Sequence, residues 1–216
     1  MTKRMAALSI VAALGIAAII PATASAATFS THTTIAINSV GNGFAGKVTS
    51  PRSSCVPSRH VTLQRKLAGH TSFSNVGSDV GASNGTWNIT SAPVANAQYR
   101  AKVASKAVAG NTCAATTSTV TSARATSVSI VQAAHNFHGK VNSVSACVPN
   151  RKVTLYKKGI YSSTFSPIGS DVTDSAGNWL VSTTPTSGAS YRAKAGAKQA
   201  GANSCMVGQS HVVVAS

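Results

Sequence analysis

Acidic side chains are the first candidates for chemistry, and the chain has very few of them. Its 216 residues include 19 Lys and Arg but only three acids, all Asp (Asp79, Asp171, Asp174), for a net charge of +16. Paired-carboxylate glycosidases, calcium loops and two-metal sites need several acidic groups close together. Only Asp171 and Asp174 are near each other in sequence. The composition therefore argues against most carboxylate catalysis.

Histidine and serine provide no stronger candidate for a metal site or a nucleophile. His135 and His138 form an H-x-x-H pattern, but residues three apart in a strand point to opposite faces. Ser is abundant, yet no G-x-S-x-G elbow is present. We therefore predict a protein that is not an enzyme, with no catalytic residues, no metal site and no cofactor.

The first residues have the pattern of a secretory signal peptide. Bases at positions 3 and 4 precede an apolar run over 5–20, and Ala24-Ser25-Ala26 supplies a small-x-small cleavage site. We predict a Sec-type signal peptide over 1–26, cleaved after Ala26, and a secreted protein, extracellular or associated with the cell wall. The run is shorter than the roughly 20 residues that span a bilayer, so we expect no transmembrane anchor in the mature chain.

A duplication organises the rest of the chain. Cys55-Val56-Pro57 recurs 92 positions later as Cys147-Val148-Pro149, and 26 of the 59 positions from Cys55 to Cys113 are identical in the second copy. We predict two homologous domains, 27–122 (repeat 1) and 127–216 (repeat 2), joined by a linker at 123–126.

The four cysteines follow the duplication. Each repeat contains one pair at the same separation, Cys55 with Cys113 and Cys147 with Cys205. Pairing within each repeat is simpler than pairing across two folding units, and an exported chain meets an oxidising environment. We predict two disulfides inside the repeats. A metal or redox site is disfavoured because C-x-x-C spacing is absent.

Alternation of apolar and polar residues with period two predicts strands. Seven runs in repeat 1 fit this pattern, and no stretch of the mature chain indicates a helix. The runs cover 33–39, 44–49, 59–66, 74–80, 86–91, 98–104 and 116–122. Trp87 and Trp179 share the parity of apolar neighbours, so we predict that they lie in the core rather than form an exposed sugar platform.

Several turn and core motifs occur in a fixed order along the repeats. They are Gly46-x-Val48, Val61-Thr62-Leu63, Gly77-Ser78, Thr173-Asp174-Ser175-Ala176-Gly177-Asn178-Trp179 and Tyr191-Arg192-Ala193. This order resembles the carboxypeptidase-regulatory-like or transthyretin-like domains of bacterial secreted proteins, which are Ig-like β-sandwiches. The resemblance implies a hairpin in which Asp174 caps the turn, Gly177 takes a positive φ and Trp179 enters the core.

With the duplication and the cysteine pairs, this resemblance predicts an all-β protein. We expect two tandem seven-stranded Ig-like or transthyretin-like β-sandwiches, each with one intradomain disulfide. The fold serves binding, adhesion and spacing alike, so function has to be sought in particular residues.

Repeated basic residues are the strongest functional signal. Seven bases of repeat 1 have basic equivalents in repeat 2: Lys47 and Lys140, Arg59 and Arg151, Arg65 and Lys157, Lys66 and Lys158, Arg100 and Arg192, Lys102 and Lys194, Lys106 and Lys198. Strand alternation predicts an outward basic face on each repeat. The predicted binding residues are Lys66, Arg100 and Lys102 in repeat 1 and Lys152, Lys158, Arg192 and Lys194 in repeat 2.

Such faces predict adhesion to an anionic cell-wall polymer or an acidic polysaccharide. Sequence-specific binding of nucleic acid is not expected, because no aromatic residues alternate with the bases along these strands. Two alternatives stay open. One is a pair of carbohydrate-binding modules that use exposed aromatics such as Tyr156 and Tyr161. The other is a structural envelope or matrix protein without a specific ligand, whose charge maintains solubility.

Overall fold

The chain folds as β-structure throughout the part that the computed structural model describes, residues 26–216. The remainder of the predicted signal peptide, residues 1–25, lies outside that range. Short 3-10 turns at Ser53–Cys55 and Ser145–Cys147 accompany the strands. Within the described range, no helix has the length and apolar character needed to cross a membrane. The prediction of an all-β chain is confirmed.

Repeat 1 contains twelve strands, the last of which extends two residues beyond its predicted end. They are β1 (Thr28–Phe29), β2 (His32–Thr33), β3 (Ala36–Ile37), β4 (Gly43–Thr49), β5 (His60–Lys66), β6 (Ser74–Val80), β7 (Thr86–Thr90), β8 (Gln98–Val103), β9 (Lys106–Val108), β10 (Asn111–Cys113), β11 (Thr116–Thr117) and β12 (Thr121–Arg124).

Repeat 2 contains eleven strands, which correspond to β2–β12 of repeat 1. Its strands are β13 (Ser127–Val128), β14 (Val131–Gln132), β15 (Asn136–Asn142), β16 (Lys152–Lys158), β17 (Ser166–Val172), β18 (Asn178–Ser182), β19 (Ser190–Ala195), β20 (Lys198–Ala200), β21 (Asn203–Cys205), β22 (Gly208–Gln209) and β23 (Val213–Val214).

The last predicted strand of repeat 1 is interrupted, and the interruption has a local cause. Both β11 and β12 pair with β8, but Ser118 lies between them. The Ser118 hydroxyl accepts a hydrogen bond from the Ala101 amide at 2.9 Å, and Ser210 does the same for Ala193 in repeat 2. A side-chain oxygen therefore replaces a ladder acceptor, which the period-two pattern does not reveal.

Each repeat encloses a hydrophobic cluster between two sheets. In repeat 1, β4 pairs with β2, β3 and β7, while β5 pairs with β6 and β8. Phe44 and Trp87 from the first sheet pack with Leu63 and Tyr99 from the second. The rings of Phe44 and Tyr99 have centroids 4.2 Å apart. Repeat 2 repeats this arrangement, with Phe137 and Tyr191 at 4.3 Å.

The buried tyrosines add a feature typical of Ig-like sandwiches. Tyr99 accepts a hydrogen bond from the Val94 amide at 2.9 Å through its hydroxyl, and Tyr191 accepts one from the Thr186 amide at the same distance. A tyrosine that bonds to the backbone a few residues upstream is the tyrosine corner. The motif satisfies the phenol inside an apolar core and fixes the chain that enters β8 or β19.

Both disulfides form as the duplication predicts. Cys55 bonds Cys113 and Cys147 bonds Cys205, each over a separation of 58 residues. Closing a loop of that length stabilises a fold by about 4 kcal/mol in the chain-entropy model. All four cysteines are fully buried.

The two repeats meet through a shared strand. Strand β12 pairs with β8 of repeat 1 and also runs parallel to β21 of repeat 2, with Ala123 opposite Ser204. Arg124 donates from Nε to the Asn203 side chain at 2.7 Å, and Met206 packs against the cluster of repeat 1. The segment predicted as a linker, 123–126, therefore begins inside a strand. On repeat 1, β1 pairs with β10 in the equivalent way.

Candidate functional site

The predicted basic residues of repeat 1 lie on one side of two neighbouring strands. Strands β5 and β8 pair antiparallel, with Gln64 opposite Arg100 and Lys66 opposite Gln98. Leu63 and Ala101 on the same strands are fully buried, so the intervening residues point outward. Lys66, Arg100 and Lys102 therefore share the outer side of the sheet, and we call this set the basic face of repeat 1.

Repeat 2 presents a corresponding set. Strands β16 and β19 pair with Tyr156 opposite Arg192 and Thr154 opposite Lys194. Val153, Leu155, Tyr191, Ala193 and Ala195 are buried, and the residues between them are not. The basic face of repeat 2 consists of Lys152, Lys158, Arg192 and Lys194.

A phenylalanine lies against the basic face of each repeat. The guanidinium carbon of Arg100 is 4.2 Å from the ring centroid of Phe73, and Lys66 Nζ is 5.4 Å from it. Arg192 and Lys158 are 4.1 and 5.6 Å from the ring of Phe165. These are cation–π distances. The rings hold the cations against the sheet.

Sequence reasoning did not identify these phenylalanines, although the duplication aligns them. Phe73 and Phe165 each precede a strand, β6 or β17, so strand alternation assigns them no face. The sequence pattern that could have identified them is that both residues of the contact are the same in the two copies: Phe73 aligns with Phe165, and Arg100 aligns with Arg192.

The repeats differ beside this contact. In repeat 1, Gln64 accepts a hydrogen bond from Arg100 Nε at 2.8 Å and donates one to Asn75 at 2.9 Å. The aligned residues of repeat 2 are Tyr156 and Pro167, which also oppose each other across the strand pair. The guanidinium carbon of Arg192 is 5.9 Å from the Tyr156 centroid.

Two of the three carboxylates connect the two sheets of a repeat. Asp79 accepts hydrogen bonds from the Val80 amide at 2.7 Å and the Asn88 amide at 2.8 Å. Strands β6 and β7, which carry Asp79 and Asn88, belong to different sheets. Asp171 bonds the Val172 and Leu180 amides in the same way. Both carboxylates therefore accept hydrogen bonds from backbone amides of both sheets of their repeat.

Asp174 caps the hairpin before β18 as the resemblance implies. Its oxygens accept from the Ala176 amide at 2.9 Å and from the amide and side chain of Asn178 at 2.8 and 2.9 Å. Chiefly the Asn178 side-chain bond, and then these backbone bonds, lower the pKa of Asp174. Gly177 has φ +89°, and Trp179 is buried. All three carboxylates therefore bond to amide groups.

One of the seven repeated basic pairs, Arg59 and Arg151, is buried and does not belong to either basic face. Arg59 is 1% exposed. Its Nη1 donates to the Cys55 carbonyl at 3.0 Å, and its Nη2 donates to the Ala104 and Ala114 carbonyls at 2.5 and 2.7 Å. The guanidinium fork satisfies backbone acceptors beside the disulfide, so Arg59 supports the fold rather than a binding face.

Arg151 repeats this arrangement in repeat 2. Its Nη1 donates to the Cys147 carbonyl at 3.1 Å, and its Nη2 donates to the carbonyls of Gly196 and of Met206, the latter at 2.9 Å. Desolvation by burial lowers the pKa of Arg151 to about 10 and also lowers that of Arg59.

Aromatic residues considered for sugar binding separate into two groups. Trp87 and Trp179 are each 3% exposed, which confirms their place in the core and excludes them as a stacking platform. Tyr161 is fully exposed at the tip of the β16–β17 hairpin, and Tyr156 is half-buried on the basic face of repeat 2.

A groove of about 520 Å³ on repeat 2 brings His138, Asp171 and Asp174 together. Both carboxylates accept the amide hydrogen bonds described above. Within residues 26–216, no group of three or more His, Cys, Asp or Glu is arranged to hold a metal ion.

Comparison with known proteins found similar structures but no related sequence. No protein-family model and no curated protein matches the chain. Similar solved structures include the FN1-FN3 domains of chicken CNTN1, at 12% identity over 85% of this chain and 66% of that one, with a TM-score of 0.30. The BSP domain of a biofilm associated protein has 12% identity, coverages of 86% and 29%, and a TM-score of 0.27. Three titin domains have 8% identity, coverages of 88% and 61%, and a TM-score of 0.29. The chain spans less than two thirds of each of these structures.

Proposed function

We propose that this protein is a secreted, non-enzymatic binding protein whose basic faces adhere to anionic polymers at the cell surface or outside the cell. In this proposal each repeat is a separate Ig-like domain of the transthyretin-like type, exported by the N-terminal signal peptide. The disulfides fit export, because such bonds persist in oxidising compartments.

One observation carries the proposal: the charge of the basic faces is not balanced by nearby acids. Asp79, Asp171 and Asp174 accept hydrogen bonds from amide groups of the β6–β7 and β17–β18 regions. Lys102 and Lys152 are exposed, and their neighbours on the faces are half-buried. Clustered uncompensated cations raise the local concentration of a polyanion and gain free energy by counterion release.

The duplication gives this weak electrostatic contact a second site. A single cluster of three or four bases gives a modest, salt-screened attraction. Two such clusters on one chain can engage one polymer, and the second contact then forms at a high effective concentration. The proposal therefore predicts polymer binding that is stronger than binding of short fragments.

Retention on immobilised polygalacturonate and polyphosphate across a salt series tests the proposal. The mature protein should be retained at low salt and released as salt rises. Changing Arg100, Lys102, Arg192 and Lys194 to Ser should abolish retention at moderate salt while leaving the fold intact. Failure of the unmodified protein to bind either resin would favour a structural protein without a specific ligand.

A further inference from the structure

The basic face of repeat 1 carries a row of hydrogen-bonded polar side chains, and the same place in repeat 2 is an apolar surface. In repeat 1, Asn75, Gln64 and Arg100 are joined by hydrogen bonds across β6, β5 and β8. At the aligned positions repeat 2 has Pro167, Tyr156 and Arg192. Both members of the Gln64–Asn75 bond are exchanged together, so repeat 2 keeps the cation but loses the whole polar network beside it.

The exchange changes what Arg192 can offer a ligand. Gln64 occupies the Nε donor of Arg100, whereas the aromatic ring of Tyr156 takes that place beside Arg192. Arg192 also contacts the Phe165 ring, and Lys158 approaches the same ring from β16. A guanidinium that contacts two rings has less side-chain entropy left to lose, and this favours bidentate contact with an oxyanion.

We propose that Tyr156, Pro167, Phe165 and Arg192 form a subsite for a sugar ring that carries its own carboxylate, so that repeat 2 recognises acidic polysaccharide. This inference rests on the proposed function of the basic faces. The apolar face of a pyranose packs on an aromatic ring, while the carboxylate bonds to Arg192 with Lys158 nearby. Tyr156 and Arg192 lie directly opposite each other across the strand pair. In such a sugar the carboxylate is attached directly to the ring, so the group that binds the ring and the group that binds the carboxylate must be neighbours.

A single-stranded nucleic acid is a poorer fit to this cluster. Proteins that bind single strands stack successive bases on a series of aromatic side chains along a basic groove. Here repeat 1 has Gln64 where repeat 2 has Tyr156, so the platform does not continue from one repeat to the next. A short run of acidic sugars needs only the one platform and the adjoining cations.

The subsite can be tested by substituting residues of repeat 1 at the aligned positions of repeat 2. Converting Tyr156→Gln with Pro167→Asn gives repeat 2 the residues of repeat 1 and leaves every charge in place. The affinity of the mature protein for polygalacturonate should fall roughly tenfold, the loss of about one stacking contact. Its affinity for polyphosphate should change less than twofold. The variant Tyr156→Phe keeps the ring and should bind both polymers as the unmodified protein does.

The outcomes separate this inference from the proposed function. Binding of neither polymer by the unmodified protein rejects the basic faces themselves. Retained binding of both polymers, with equal losses or no losses in the exchanged variant, rejects the sugar subsite alone. A tenfold loss for an oligothymidylate equal to that for polygalacturonate would assign the platform to base stacking instead. If both variants unfold at the same temperature as the unmodified protein, the differences in affinity come from the binding surface and not from a loss of folding.

Discussion

Arg192 lies over the ring of Phe165, with its guanidinium carbon 4.1 Å from the ring centroid, and Arg100 makes the same contact with Phe73 at 4.2 Å. The ring attracts the cation through its quadrupole and restricts the long side chain. The same pairing in both repeats makes each basic face an ordered arrangement of donors.

Replacing both rings should therefore weaken polymer binding although no charge is lost. For Phe73→Ala with Phe165→Ala we expect the affinity for polygalacturonate to fall about two- to fivefold per site, the equivalent of one exposed cation–π contact. Isothermal titration at fixed salt measures the change. The paired variant Phe73→Tyr with Phe165→Tyr keeps both rings and should bind normally. Equal affinity of the Ala and Tyr variants would show that the rings do not order the arginines.

The buried Arg59 predicts a strong effect on folding. In Arg59→Lys a single ammonium replaces a fork that bonds the carbonyls of Cys55, Ala104 and Ala114. Buried acceptors would lose partners, so we expect the free energy of unfolding of repeat 1 to fall by about 3 kcal/mol. Urea unfolding at neutral pH measures this.

Arg65 provides the matched control for that substitution. It lies on β5 of the same repeat, its Nε is buried without a hydrogen-bond partner, and repeat 2 has Lys157 at the aligned position. Arg65→Lys removes the unpartnered donor and should leave the unfolding free energy unchanged or slightly raised. Similar losses for Arg59→Lys and Arg65→Lys would contradict the role given to the carbonyl contacts.

The lowered pKa of Asp174 predicts an acid dependence of stability. A carboxyl whose pKa is lower in the folded state stabilises the fold above its unfolded pKa of about 4 and loses that contribution as pH falls through the folded value. Asp174→Asn should lower the unfolding midpoint at pH 7 and reduce its fall between pH 4 and 2. Asn178→Ala removes the largest cause of the shift and should have part of the same effect. If the unfolding midpoint of both variants fell between pH 4 and 2 as much as that of the unmodified protein, Asp174 would not be the source of this acid dependence.

Each disulfide should stabilise its own repeat. Replacing Cys55 and Cys113 by Ser, or Cys147 and Cys205 by Ser, should lower the free energy of unfolding of that repeat by about 4 kcal/mol. Mass spectrometry of peptides from the unreduced protein checks the connectivity. A peptide linking cysteines of different repeats would refute the pairing.

Features encoded by local patterns could be predicted from the sequence. Alternation placed Trp87 and Trp179 in the core and Arg100 and Lys102 outside, and the duplication identified the cysteine pairs. Each inference depended on residues within one strand or on the comparison of two copies.

Features produced by distant backbone groups could not be predicted in this way. The carbonyls that enclose Arg59 come from residues up to 55 positions away, and their convergence leaves no local pattern. Strand β12 runs on to Arg124, past the predicted end of repeat 1, where it pairs with β21 of the other repeat. The approach of Phe73 to Arg100 likewise depends on the path of a hairpin.

The salt dependence of binding tests the central claim most directly. The slope of log affinity for polyphosphate against log salt should be negative for the mature protein and shallower by about two for Lys102→Ser with Lys194→Ser, because two ionic contacts are lost. Lys47→Ser with Lys140→Ser removes two exposed charges from the opposite sheets and should leave the slope unchanged. Equal changes of slope in both double variants would mean that net charge alone attracts the polymer, and would contradict the basic faces.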